Sequence, residues 1–400
     1  MVNRKYYLCA LGYYLNIGIL GVYIPWKLLE LTGAATAIGA MLCIRALPGL
    51  LIGSLTGKLV DRLDKRRMVA FACLLSALFM GLFIIFQSAL MNVAGLYAVI
   101  AVASLSNTIF LAAIRSYLHV VTQTQNLGMA NSRFEMSIQL GNIIGTAAGG
   151  ALTALASPGL TFGLAGVILT VVAMQAVRLP AALPASTDND SASKHCAERS
   201  LFRQAGVLPA LLVMLIPMTF LQMFNILLGP IGKESMQVTA EGFGYLNAAY
   251  SVGAMAMSLA LSRRLHARSS FLLFISGLSV ALFNMLLPLS DSLGEGIAAT
   301  LLIGATIVWA RVTANALLMR HVTSSQAGRL QAVILNMHYC TVFIAGLAFG
   351  YLADKFGYLP LYSGLCALVV LLMFIWLAVT ALAKRKSPST LLSLSDAGKK

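Results

Sequence analysis

Apolar runs of about 20 residues divide this sequence, and each is ended by a short polar or charged stretch. A helix needs roughly 20 apolar residues to cross the hydrocarbon core of a bilayer. Within that core only helices and closed barrels satisfy their own backbone groups. Runs of this kind lie at 6–26, 35–57, 68–88, 94–117, 130–153 and 159–177, then at 207–229, 242–262, 270–288, 295–318, 330–353 and 358–382. The pattern predicts an all-α polytopic membrane protein of twelve transmembrane helices. Composition agrees: 59% of residues are hydrophobic and 10% are charged, against roughly 25% charged in a soluble domain.

The stretch 178–205 breaks the series. It holds Pro180, Pro184 and the polar run from Ser186 to Lys194, which reads as a flexible linker. The expected organisation is a six-helix bundle over 1–177, a cytoplasmic linker over 178–205, a second bundle over 206–382 and a cytoplasmic tail over 383–400. Met1 to Lys5 lead into an apolar run long enough to span and without a small-residue cleavage site, so this segment reads as the first span, not as a removable signal.

The net charge of +15 would point to nucleic acid in a soluble protein, but here it is segregated by loop. Arg4 and Lys5, the 58–67 loop, Arg178 to Arg203, Arg263, Arg264 and Arg268, Arg320 and Arg329, and Lys384 to Lys386 all fall on one side. The opposite loops hold little beyond Lys27, Lys233 and Lys355. The positive-inside bias then places both termini in the cytoplasm, and membrane lipid, not nucleic acid, is the expected surround.

Between the second and third runs lies Gly57-Lys58-Leu59-Val60-Asp61-Arg62-Leu63-Asp64-Lys65-Arg66-Arg67. Gly57 permits a sharp helix exit, and Asp61 can accept hydrogen bonds from backbone N–H groups or from Arg62, Lys65 or Arg66. With Arg67 these residues form a candidate conformational latch. The plainer reading is a solvated basic loop that sets orientation.

This stretch resembles the loop motif between spans 2 and 3 of the major facilitator superfamily. After span 8, Ser258 to Arg264 occupies the equivalent place, with Ser258 for the glycine and Ser262 for the aspartate. Gly350-Tyr351-Leu352-Ala353-Asp354-Lys355-Phe356-Gly357 ends span 11 closer to the pattern, faces outward, and reads as a structural relic of inverted three-helix repeats. In span 5, Gly141, Gly145 and Gly149 make a ridge at four-residue spacing that lets another helix approach. With Gly150 they are similar to the fifth-span motif of exporters in that superfamily, Thr146 standing where proline is usual. Trp26 to Gly33, Arg45-Ala46-Leu47-Pro48, Ala130-Asn131 and Gly244 to Ala254 extend the resemblance to the branch with enterobactin-type siderophore exporters and macrolide efflux proteins.

The resemblance implies two pseudo-symmetric six-helix bundles with spans 1, 4, 7 and 10 around a central cavity. Polar residues there become candidate substrate contacts: Tyr13 and Asn16, with Tyr14 beside them; Asn107 and Arg115; Gln222 and Asn225; Trp309, Arg311 and Asn315. The pairs Tyr13/Asn16, Gln222/Asn225 and Arg311/Asn315 each share a helix face, although such side chains also bond helix to helix. Arg45 in span 2 joins them, because an intramembrane arginine costs about 2.5–3.5 kcal/mol without a partner or water. Cations without matching acids favour an anionic substrate.

Glu135 is the evident intramembrane acid. It is the leading candidate for proton coupling, with Asp61 second, and its alternative role is pairing with Arg133 or Arg115. The six cysteines lack paired or metal-ligand spacing, and the five histidines are scattered, mostly near cytoplasmic ends, where they read as capping or solvated groups. No cofactor or metal is expected. HExxH, Gly-x-Ser-x-Gly and nucleotide-binding loop motifs are absent from the sequence, which leaves intramembrane hydrolysis and ATP-driven pumping without a foothold. The expected protein is a monomeric, proton-coupled secondary transporter of the bacterial inner membrane. It would export a small anionic, siderophore-type compound; multidrug or macrolide efflux is the alternative, and import of a metabolite or ferric chelate is less favoured.

Overall fold

A computed structural model describes residues 4–122, 127–155, 157–180, 207–264, 270–320 and 324–386. Its long helices are α1 (Arg4–Thr32), α2 (Ala35–Arg62), α3 (Lys65–Ile85), α4 (Val93–Val121), α5 (Leu127–Ala154) and α6 (Pro158–Val177). They continue with α7 (Val207–Glu234), α8 (Ala240–Arg264), α9 (Ser270–Asn284), α10 (Leu293–Arg320), α11 (Ser324–Phe356) and α12 (Tyr358–Lys386). Helix reaches into what the sequence reads as a charged hairpin after span 2, because basic residues extend a helix readily once it has left the apolar layer. The turn between α2 and α3 is then Leu63-Asp64 alone.

Local chemistry sets the ends. Asp64 caps α3 by accepting from the Arg66 N–H, Asn92 caps α4 through the Gly95 N–H at 2.9 Å, and Ser157 precedes Pro158 at the start of α6. Gly33 (φ +66°) and Gly357 (φ +82°) terminate α1 and α11 in the left-handed region that only glycine enters freely.

Ten of the helices are long and apolar enough to cross a membrane. The two outside that set, α5 and α8, pack on each other and on other helices, and a helix shielded from lipid can carry small and polar residues. In the first six helices α1 packs on α5, α2 on α4 and α3 on α6; in the second six, α7 packs on α11, α8 on α10 and α9 on α12. The same pairing recurs after six helices, so the two halves share one architecture.

Among the described residues the halves meet mainly through two helix pairs, α2 with α11 and α5 with α8, with lesser contacts of α1 on α7 and α8 and of α2 on α7. Small residues make both contacts. A Cβ on Gly39 would lie 2.3 Å from the Gly346 carbonyl oxygen, one on Gly350 would lie 2.8 Å from the Thr36 Cα, and one on Gly150 would lie 2.7 Å from the Gly244 Cα. These contacts cluster near the end of the bundle away from the termini. Within the first half, the Gly141, Gly145 and Gly149 ridge lies against α1, where a Cβ would meet the carbonyl oxygens of Leu11, Leu15 and Ile19 at 2.5, 2.2 and 2.8 Å.

Candidate functional site

Between the halves, below the glycine contacts, polar side chains from several helices converge. Arg45 on α2 and Arg311 on α10 are both solvent-exposed although they lie well inside their helices. His338 on α11 is within electrostatic reach of both, so the two guanidiniums flank one histidine. Tyr14 on α1 is within reach of Arg45, Arg115, Glu135 and Tyr339, and Tyr250 on α8 is within reach of Arg311. Charges at this depth face protein or water.

The walls are aromatic as well as cationic. The Tyr339 ring rests on Gly49 of α2, where a Cβ would lie 2.3 Å from its Cζ, and Tyr250 stacks on Phe224 with centroids 4.7 Å apart. On the first half, Arg115 of α4 donates to Glu135 of α5 at 3.0 Å, with the two side chains 53% and 46% exposed. The pair is reachable by water while bonded. Among the described residues, neither Arg45 nor Arg311 has a carboxylate partner within ion-pair distance.

The profile of the Major Facilitator Superfamily matches residues 6–346. The chain belongs to that superfamily. Solved structures with the same fold include the nucleoside transporter NupG (13% identity, 94% of this chain and 99% of that one, TM-score 0.72) and a POT family transporter in complex with a thioalcohol-conjugated peptide (12%, 94% and 95%, 0.70). A bacterial homolog of the human lysosomal transporter Spinster, inward-facing and unoccupied, also matches (13%, 92% and 91%, 0.65). No curated protein matches. At these identities the structures establish the fold. The chain is an integral membrane transporter.

In this facilitator Tyr13 and Asn16, read from the sequence as candidate substrate contacts, are both buried inside the first half. Tyr13 is 3% exposed and stacks on Phe110 of α4 at 3.6 Å between centroids, and Asn16 donates to the Ala165 carbonyl of α6 at 3.2 Å. Both serve helix packing inside the first half, and the neighbouring Tyr14 takes the inward face. Asn225 donates to Gln222 at 3.4 Å, Gln222 is buried, and Asn315 accepts from Gln331 of α11 at 3.2 Å. Trp309 is half-buried, and the Asn107 oxygen is buried without a hydrogen-bond donor among the described residues.

In the charged loop Arg66 bonds Asp64 at 2.7 Å and donates to the Leu179 carbonyl at 3.2 Å. That ties the loop to the exit of α6, within one half. Lys65 is buried, and Arg67 is mostly solvated, 3.9 Å from Asp64. The side chains of Asp61 and Arg62, and the surroundings of Gly57, lie outside the described residues. Arg133 bonds Tyr7, which leaves Arg115 as the partner of Glu135.

His338 and Tyr339 escaped the sequence reading, which placed the histidines near helix ends and the cavity on spans 1, 4, 7 and 10. Their signal was available: a His-Tyr pair in the middle of an apolar span needs a polar neighbour. A separate groove of about 870 Å³ runs between α3 and α6, lined by residues such as Leu74, Leu78, Val167 and Val171. It is apolar and lies on the outer wall.

Proposed function

We propose that this facilitator exports small anionic compounds, siderophore-type chelators foremost, from the bacterial cytoplasm in exchange for protons. The observation that carries this reading is that Arg45 and Arg311, one on each half, both lie within reach of His338 and have no carboxylate partner among the described residues; we read the space between them as one aqueous chamber. Two unneutralised guanidiniums in a confined space are a poor site for a cation and a good one for a carboxylate or catecholate. Tyr14, Tyr250 and Tyr339 add aromatic surface suited to ring-bearing ligands.

Glu135 supports the proton role. Protonation on the outward-facing side would release Arg115 from its bond, and loss of that proton inside would restore it. In this reading the chain works as a monomer with both termini cytoplasmic, the two halves rocking about the chamber, and the basic loop after α2 steadies the inner side. The half-exposed Glu135 carboxylate favours the second reading, efflux of cationic or macrolide drugs.

A deletion strain grown on iron-poor medium separates the readings. Loss of chelator from the spent medium, with its accumulation inside and restoration by the wild-type gene, supports anion export. Unchanged chelator with heightened macrolide sensitivity selects the drug reading, and reduced uptake of a ferric chelate selects import.

A further inference from the structure

The segment at the end of α11 that the sequence presents as a relic makes a three-bond polar contact between the halves. Asp354 Oδ1 accepts the Ala35 N–H at 2.8 Å, and Oδ2 accepts the Thr36 N–H at 2.8 Å and the Thr36 hydroxyl. Ala35 and Thr36 open α2 in the first half, whereas Asp354 closes α11 in the second. A helix begins with unpaired N–H groups and a partial positive charge, and α2 begins after Ala34, which has no side chain able to cap it. Its cap is supplied from the other half.

The surroundings give this contact its weight. Below it, α2 and α11 touch through Gly39, Gly346 and Gly350 with backbone against backbone, so few side chains interlock and the pair can part without repacking. Cys43 Sγ meets the Phe343 carbonyl at 3.3 Å and Tyr339 rests on Gly49 further along. A smooth glycine seam holds a gate weakly unless something directional fastens its rim. When the halves separate there, the helix start loses its acceptor and the carboxylate loses three donors together.

We propose that Asp354 is the clamp of the gate on the side away from the termini, holding α11 to the start of α2 while the chamber is open to the terminal side, and releasing it when the gate opens. Asp354 is a positioning residue; it touches no substrate. The inference rests on the reading that the halves move about the chamber, and its test reads the gate directly so that the two can fail separately.

Spin labels at Leu155 and Gln237, exposed sites flanking the other seam between α5 and α8, report far-side separation by pulsed electron resonance in full-length protein in nanodiscs. Asp354→Asn should broaden the distances towards longer values, with the closed-to-open ratio falling about tenfold, the size of one well-placed charge at a helix start. Thr36→Val, which removes one of the three donors, should give a smaller shift in the same direction and serves as the test if Asp354→Asn does not fold. Distance distributions identical to wild type in the variants that fold overturn the clamp, whatever transport does. Broadened distances without any transport in the wild-type protein would retain the clamp and sink the carrier reading instead.

Discussion

Gly150 and Gly244 meet across the seam between the halves with no side chain between them, so that a Cβ on Gly244 would lie 2.6 Å from the Gly150 Cα. Valine at either position has no space without moving a backbone. Gly244→Val should therefore disfavour the state described here by about 1–3 kcal/mol, the usual cost of overpacking, and reduce transport while leaving insertion into the membrane intact. Transport measured against surface abundance checks it, and full activity would show that the seam never closes this tightly in the working cycle.

Arg45 and Arg311 stand on different halves, each within reach of His338. Replacing either by glutamine should weaken binding of an anionic substrate roughly 10- to 100-fold, the range of a lost charge-assisted hydrogen bond of about 1.5–3 kcal/mol. Neutral substrates should be affected far less. Binding isotherms with charged and neutral ligands distinguish the outcomes, and an equal loss for both would mean the arginines maintain structure instead.

The bond from Arg115 to Glu135 gives a prediction about coupling. If Glu135 carries the proton as proposed, Glu135→Gln keeps an acceptor for Arg115 but takes no part in proton exchange, so exchange of substrate across the membrane should persist while accumulation driven by a pH gradient is lost. Vesicle assays with and without an imposed gradient separate these. Coupling that survives in Glu135→Gln places the proton elsewhere, with Asp61 next in order.

Asn16 should behave as a structural residue. Asn16→Leu leaves the Ala165 carbonyl without its donor, at a cost of about 0.5–2 kcal/mol for a hydrogen bond between membrane helices, and substrate affinity should stay within twofold. Tyr13→Phe keeps the ring stacked on Phe110 and should change neither. Thermal stability and binding measured on the same preparations decide, and a selective loss of affinity would return Asn16 to the chamber.

The series of twelve long helices and the superfamily were legible from the chain alone. Burial in lipid demands unbroken apolar runs, and the motif residues Gly57 to Arg67 and Gly141 to Gly150 sit at fixed places among them. Spacing also showed that Tyr13 and Asn16 share a face. Which face turns inward was not legible, because a helix packed in a bundle and bathed in lipid is apolar nearly all round. Lipid and protein core then look alike in sequence, and one residue's rotation exchanges Tyr13 for Tyr14.

Tertiary structure decided whatever depended on two distant segments meeting. It put His338 within reach of Arg45 and Arg311 and Tyr339 within reach of Arg45, gave Arg66 to Asp64, and brought Asp354 to Ala35 and Thr36 across more than 300 residues of chain. A carboxylate's partner is set by where helix ends arrive in space, and a linear pattern that names the aspartate says nothing of the uncapped helix waiting opposite it.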